Sequence, residues 1–213
     1  MKVDGTTPTL QYSSSYWTNN QLLNSGTSSM NVSTGGDAKF RAFTTAPGVA
    51  VRLVMRTATG GSSFGSPVDL YTGSFTSLTA LFSGPTLTTS TAKSTWLNIL
   101  PGGIWNQPNC NYQGVNVGVS AGSYRLGIWL NGENDCSSCD SGVGVGGSGT
   151  WMSYNHVSSE NFYYAGGGGL FFLSTYANVF VLQCAMGQVS IASAPFCIEG
   201  TISRQLIDCL HYT

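Results

Sequence analysis

The chain has 213 residues, 41% of them hydrophobic and 12% aromatic, enough to build a full core in one domain. Only 8% are Asp, Glu, Lys or Arg, against about a quarter in ordinary soluble domains, and the formal net charge is −1. That balance excludes a phosphate-neutralising nucleic-acid groove and a polybasic membrane patch, because both need clustered Lys and Arg. The surface must instead meet water through Ser, Thr, Asn, Gln and Gly.

Targeting signals are absent from the residues given. Met1 is followed by Lys2, Val3, Asp4 and Gly5, with no apolar run of the secretory kind. The most apolar stretch, 169–182, is interrupted by Ser174, Thr175 and Asn178 and is too short to insert across a bilayer as a helix.

Taken in order, residues 39–44 read as a short strand. Val49, Val51, Leu53 and Met55 alternate with Ala50, Arg52, Val54 and Arg56, the period of two of a strand with one more polar face. Residues 68–71 predict another short strand, and 75–82 a short turn of helix. Over 91–100, Ala92, Trp96, Ile99 and Leu100 share a helical face that stops at Pro101-Gly102-Gly103. Val115, Val117 and Val119 then alternate with Asn116 and Gly118. Tyr124, Leu126, Ile128 and Leu130 do the same through Arg125, Gly127 and Trp129. A short strand is predicted at 170–173. Tyr176, Asn178, Phe180 and Leu182 alternate with Ala177, Val179 and Val181; both faces are apolar, which predicts a central strand. Residues 188–192 are the last candidate strand. The pattern predicts an all-β fold, a mainly antiparallel β-sandwich with one or two short helices in crossovers. A boundary near Gln183 divides a β-rich body, 1–183, from a cysteine-bearing tail, 184–213, packed on it.

Cysteines stand at Cys110, Cys136, Cys139, Cys184, Cys197 and Cys209. An even number in a Gly- and Ser-rich, charge-poor chain predicts disulfides, with connectivity open. Cys136-Ser137-Ser138-Cys139 has the gap of a zinc knuckle, but no second pair follows at ligand spacing, so disulfides are the preferred reading.

A set of short motifs runs through the chain. Tyr16-Trp17-Thr18 opens it and Ser94-Thr95-Trp96-Leu97 comes mid-chain; Asn109-Cys110-Asn111 and Gly114-Val115-Asn116 follow. Arg125-Leu126-Gly127-Ile128 leads into Gly132-Glu133-Asn134-Asp135-Cys136, then Asp140-Ser141 and Gly144-Val145-Gly146. Together they resemble a domain of coral skeletal organic matrix proteins and related secreted proteins of marine animals and protists, some with a fibrinogen-C-terminal-like opening. The resemblance covers about residues 12–183 and is most specific between Cys110 and Gly146. It implies an extracellular setting, a structural or adhesive role and a bond between Cys110 and Cys136. An α+β fibrinogen-like fold is the alternative it brings. The cysteine-bearing segment behind the fibrinogen label is absent from the N-terminal part of this chain, and the tail from Cys184 lies outside the pattern.

The acidic loop is the sharpest local feature. Asn131, Glu133, Asn134, Asp135 and Asp140 gather oxygen-bearing side chains in a chain otherwise poor in charge. Glu133, Asp135 and Asp140 fit a calcium site, since hard cations take six to eight oxygens on a turn. They equally fit a solvated turn whose Asp and Asn bond their own backbone. Catalytic sets are hard to find. His156 and His211 are the only histidines; no Gly-x-Ser-x-Gly elbow occurs, and the glycine run 166–169 lacks the Lys-Ser/Thr of a phosphate loop. Trp105, Trp129 and Trp151 are the candidate rings that, left at the surface, can stack on a sugar; packing in the core is the competing and preferred reading for each ring separately. Asn31-Val32-Ser33 is a glycosylation sequon.

The expectation is a non-enzymatic structural or adhesive module, extracellular or on the surface of an assembled particle. It would associate with itself or other structural proteins, with glycan as a further partner, and with neither nucleic acid nor membrane insertion. A calcium-assisted lectin and a minor capsid or fibre component of a virion are the alternatives.

Overall fold

The structure is a computed structural model that describes residues 1–4, 9–30, 36–57, 64–99, 107–120, 122–137, 139, 141–149, 158–163, 170–185, 196–199 and 206–207. At 57, 149, 158–163, 170–176, 184–185, 196–199 and 206–207 it describes the backbone alone. In chain order its strands are β1 (Lys2–Asp4), β2 (Gly48–Thr57), β3 (Val68–Phe75), β4 (Leu87–Thr88), β5 (Asn109–Val119) and β6 (Gly122–Asn131). They continue with β7 (Ser141–Gly149), β8 (Ser158–Tyr163), β9 (Leu170–Ala185), β10 (Phe196–Glu199) and β11 (Leu206–Ile207). Three short helices are α1 (Arg41–Thr45), α2 (Leu78–Ser83) and α3 (Lys93–Trp96).

Every described pairing is antiparallel, as the alternation predicts. One sheet runs β4-β5-β6-β7-β8 into the first part of β9. In the other, β2 lies between β3 and the second part of β9, whose far edge receives β1 and then β10. The candidate strands at 170–173 and 176–182 are therefore one strand of 16 residues that belongs to both sheets. Its second half is central, with β2 on one side and β1 and β10 on the other. The boundary near Gln183 falls inside β9, and β10 pairs back along Leu182–Ala185, so the start of the tail continues the sheet. The candidate strand 188–192 lies outside the described residues.

The helices close the sandwich. Residues 39–44 do not form the predicted strand: Ala38 and Lys39 make isolated bridges to Lys2 and Leu23, and the chain then turns into α1. A single helical turn lets Phe43 bury itself against Trp17 and Phe82, with ring centroids 6.2 Å and 5.8 Å away. α2 begins where the Ser77 hydroxyl accepts from Ala80 N at 3.1 Å, an N-cap that satisfies one orphan amide. The helix predicted over 91–100 shrinks to α3 and one further turn, with Trp96 and Ile99 buried as its face required.

One departure from simple alternation matters for everything that follows. Val115 and Leu126 pack in the main core, whereas Val117 and Tyr124 belong to a second cluster with Cys110, Trp129 and Cys139. Residues two apart in a regular strand share a face, so the pleat inverts between them. At that level Asn116 has φ +52° and Gly146 has φ +61°, on the strands flanking β6. The left-handed backbone at these two positions re-aims the side chains that follow. Tyr124 consequently lies over the glycines of the neighbouring strand: a Cβ at Gly142 or Gly144 would stand 2.9 Å from its ring.

Candidate functional site

Cys110 and Cys136 are bonded, with Cα atoms 5.2 Å apart, as the motif resemblance implies. Cys110 lies within a bulge: Asn109 faces Asn131 and Tyr112 faces Trp129, so β5 has one extra residue against β6. Its φ of +50° is unusual for a non-glycine residue and lies in the left-handed region. Bulges re-aim side chains, and here the thiol is delivered to the loop that follows β6.

That loop is fastened from within. Asn109 Nδ2 donates to Gly132 O at 2.6 Å, and Asn131 Nδ2 donates to Asp135 O. Asp135 Oδ1 accepts from Ser137 N at 2.8 Å and from Ser137 Oγ at 2.7 Å, while Ser120 Oγ donates to Ser137 O at 2.6 Å. Cys139 is buried beneath, its Sγ 3.2 Å from Cys136 O and 3.5 Å from Cys110 Sγ. Glu133 and Asp135 are exposed; Asp140, the third residue of the candidate calcium set, lies outside the described residues. One Asp135 oxygen is thus engaged in the turn's own backbone, the behaviour of an Asx turn. Among the described residues no cluster of three His, Cys, Asp or Glu could hold a metal.

The candidate sugar-stacking rings divide. Trp129 is only 1% exposed and packs on Tyr124 with centroids 4.7 Å apart. This corrects the expectation of a surface ring: the outward-turned face of β6 is itself buried in the second cluster. Trp105, Trp151, Asn31, His156, His211 and Cys209 lie outside the described residues. In the tail, the register of β10 on β9 sets Cys197 directly opposite Cys184, and cross-strand Cα separations of about 4.5–5.5 Å fall in the range a disulfide spans.

Sequence reasoning overlooked a buried polar belt that ties the two sheets and the helices together. Asn116 Nδ2 donates to Phe82 O at 3.0 Å and Gly84 O at 2.9 Å, and its Oδ1 accepts from Arg125 at 2.8 Å. Arg125 also donates to Tyr12 O at 2.8 Å and Phe82 O at 3.1 Å, with its guanidinium 4.4 Å from the Tyr12 ring centroid. Gln113, fully buried, accepts from Trp96 Nε1 at 2.7 Å and donates to Thr91 O at 2.5 Å. Lys39, also fully buried, donates to Tyr16 O at 2.6 Å and to Asn19 O. Burial pushes the Lys39 ammonium down to about 8. Arg52 meets Asp69 through two bonds of 2.7 Å and 2.9 Å. Motif residues Trp17, Trp96, Asn116 and Arg125 therefore build the scaffold. For Asn116 and Arg125 the signal in the sequence is a polar or charged residue inside an apolar run.

A separate cavity of about 450 Å³ lies between α1 and β9, lined by Met1, Lys2, Phe40, Phe43, Val179 and Val181 among others. Its described lining is mostly apolar, with Lys2, Asn178 and Gln183 as the polar side chains. Among the described residues no helix is long and apolar enough to cross a membrane. The fold and the loop together define an antiparallel β-sandwich with a disulfide-pinned acidic loop. No family model matches the chain, and neither a curated protein nor a solved structure does.

Proposed function

We propose that this chain is a non-enzymatic structural module that assembles, with copies of itself or with other structural proteins, through uncharged surfaces. The observation that carries the reading is where the few charges go. Lys2, Asp4, Asp37, Lys39, Arg52 and Arg56 are buried, and Asp69, Lys93 and Arg125 are half-buried. Among the described side chains only Arg41, Glu133 and Asp135 are exposed charges. A surface with so little charge has weak self-repulsion and favours association. The Cys110–Cys136 bond supports an oxidising setting, extracellular or on a particle surface, in line with the resemblance to secreted matrix proteins.

Sedimentation velocity at tens of micromolar, at low and at high salt, tests the reading. Contacts between uncharged surfaces should persist in both, because screening acts only on charge. A stable monomer under both conditions overturns it.

A further inference from the structure

The disulfide of the acidic loop has a third sulfur beside it. Cys139 is a thiol, 4% exposed, with its Sγ 3.5 Å from Cys110 Sγ and pointed at the same turn through Cys136 O. Cys136 and Cys139 are three residues apart on one loop, and both reach Cys110, which the left-handed bulge of β5 presents to them. Their exposures are opposite: Cys136 is at the surface and Cys139 is enclosed with Tyr124 and Trp129.

We propose that Cys110 is the common sulfur of an exchanging centre, bonded alternately to Cys136 and to Cys139, and that exchange delivers a reactive thiol to the surface at Cys136. The thiolate is the nucleophile in such a step. Cys139 loses its proton and attacks Cys110 Sγ; the Cys110–Cys139 bond forms as the Cys110–Cys136 bond breaks. The electron pair leaves on Cys136 Sγ, which takes up a proton. One disulfide and one thiol stand on each side, so no oxidant or reductant is consumed. What changes is location. The thiol moves from the enclosed site to the exposed one, where alkylating agents and the disulfides of other molecules can reach it. Both cysteines already stand beside Cys110, one bonded to it and the other with its sulfur 3.5 Å away, so the exchange asks for only a short movement.

Trapping tests this on the intact chain. The folded protein is held with excess iodoacetamide at pH 6, 7 and 8, then digested without reduction and mapped. Expected are peptides joining Cys110 to Cys139 with carbamidomethyl on Cys136, accumulating up to about tenfold faster per pH unit as the thiolate fraction rises. A Cys139→Ser variant should hold only the Cys110–Cys136 bond and take no label at either residue. A Cys136→Ser variant should form the Cys110–Cys139 bond and melt within a few degrees of the wild type. Label on Cys139 with the Cys110–Cys136 bond intact, a Cys136–Cys139 bond, or no label at all three positions overturns the proposal. So does a folded Cys136→Ser protein in which Cys110 and Cys139 are both thiols. Should Cys136→Ser fail to fold, the wild-type map decides alone.

Discussion

Asn116 and Arg125 belong to the same run of motifs as Glu133 and Asp135, and both groups are polar or charged residues in a glycine-rich stretch. Asn116 is buried and Arg125 half-buried, and they bind carbonyls from the N-terminal segment, α2 and the loop after it. The second two are exposed, and Asp135 Oδ1 accepts from Ser137 N and Ser137 Oγ within its own turn. The difference lies in what each group would leave behind. Removing a buried donor strands carbonyls that water cannot reach, whereas removing a turn acceptor exposes an amide to solvent that replaces it. In the belt the polar side chains hold the fold; in the loop the covalent bond does.

The largest expected effect breaks that covalent part. Cys110→Ser removes both bonds that the proposed exchange allows, and opens a loop of 26 residues. In the chain-entropy model this costs about 3.5 kcal/mol. For a chain of this size that is a drop of roughly 10 °C in Tm, read by calorimetry. Asn116→Ala should come next, at about 3 kcal/mol, because it leaves the Phe82 and Gly84 carbonyls and Arg125 short of a partner and puts a Cβ-bearing residue without a local acceptor at positive φ. An equal loss from Asp135→Ala would erase the contrast between belt and loop.

Lys39 sharpens the comparison through pH. Lys39→Met should cost about 2 kcal/mol, since it strands two carbonyls that hold residues 16–19 against the core. The folded-state value of about 8 lies below the usual 10.5, so between those limits the unfolded chain binds more protons than the folded one. Stability from this group therefore rises as pH climbs from about 8 toward 10.5 and is flat below 8, where both states hold the proton. The neutral amine still has two hydrogens for its two carbonyls. The gap between wild type and Lys39→Met in urea midpoints should thus widen from pH 8 to pH 10; a constant gap would show that Lys39 does not titrate there.

Much of the sandwich was legible because strands show as period-two alternation, as in β2 and in β6 from Leu126 to Leu130, or as a run apolar on both faces, as in the second half of β9. The prediction failed where the backbone leaves that regularity. Left-handed Asn116 and Gly146 split Val115 from Val117 and Tyr124 from Leu126, and no side-chain period records such an inversion. β7, Ser-Gly-Val-Gly-Val-Gly-Gly-Ser-Gly, was missed as a strand because glycine normally weakens one; here the absent side chains make room for Tyr124. Residues 39–44 misled in the other direction, alternating like a strand while Phe43 was needed in the helical corner with Trp17 and Phe82. Of the site, the Cys110–Cys136 bond followed from the motif resemblance, but the nearness of Cys139 to Cys110 depends on the bulge in β5, which the spacing of cysteines does not encode.

The smallest expected effect falls on the acidic side chain itself. Asp135→Asn keeps an Oδ1 that can accept from Ser137 N and Ser137 Oγ, so the turn survives and the loss should stay below about 0.5 kcal/mol, the range of ordinary surface changes. Calcium makes the same substitution informative. A cation that binds only the folded chain raises its stability by mass action, about 2.7 kcal/mol at a hundred times its dissociation constant. If Asp135 serves the turn alone, millimolar calcium should move Tm by less than about 1 °C in both proteins. A larger rise in the wild type that Asp135→Asn removes would mean that Glu133 and Asp135 reach a cation despite the turn. The loop would then resemble the belt, with its polar side chains holding structure through a ligand.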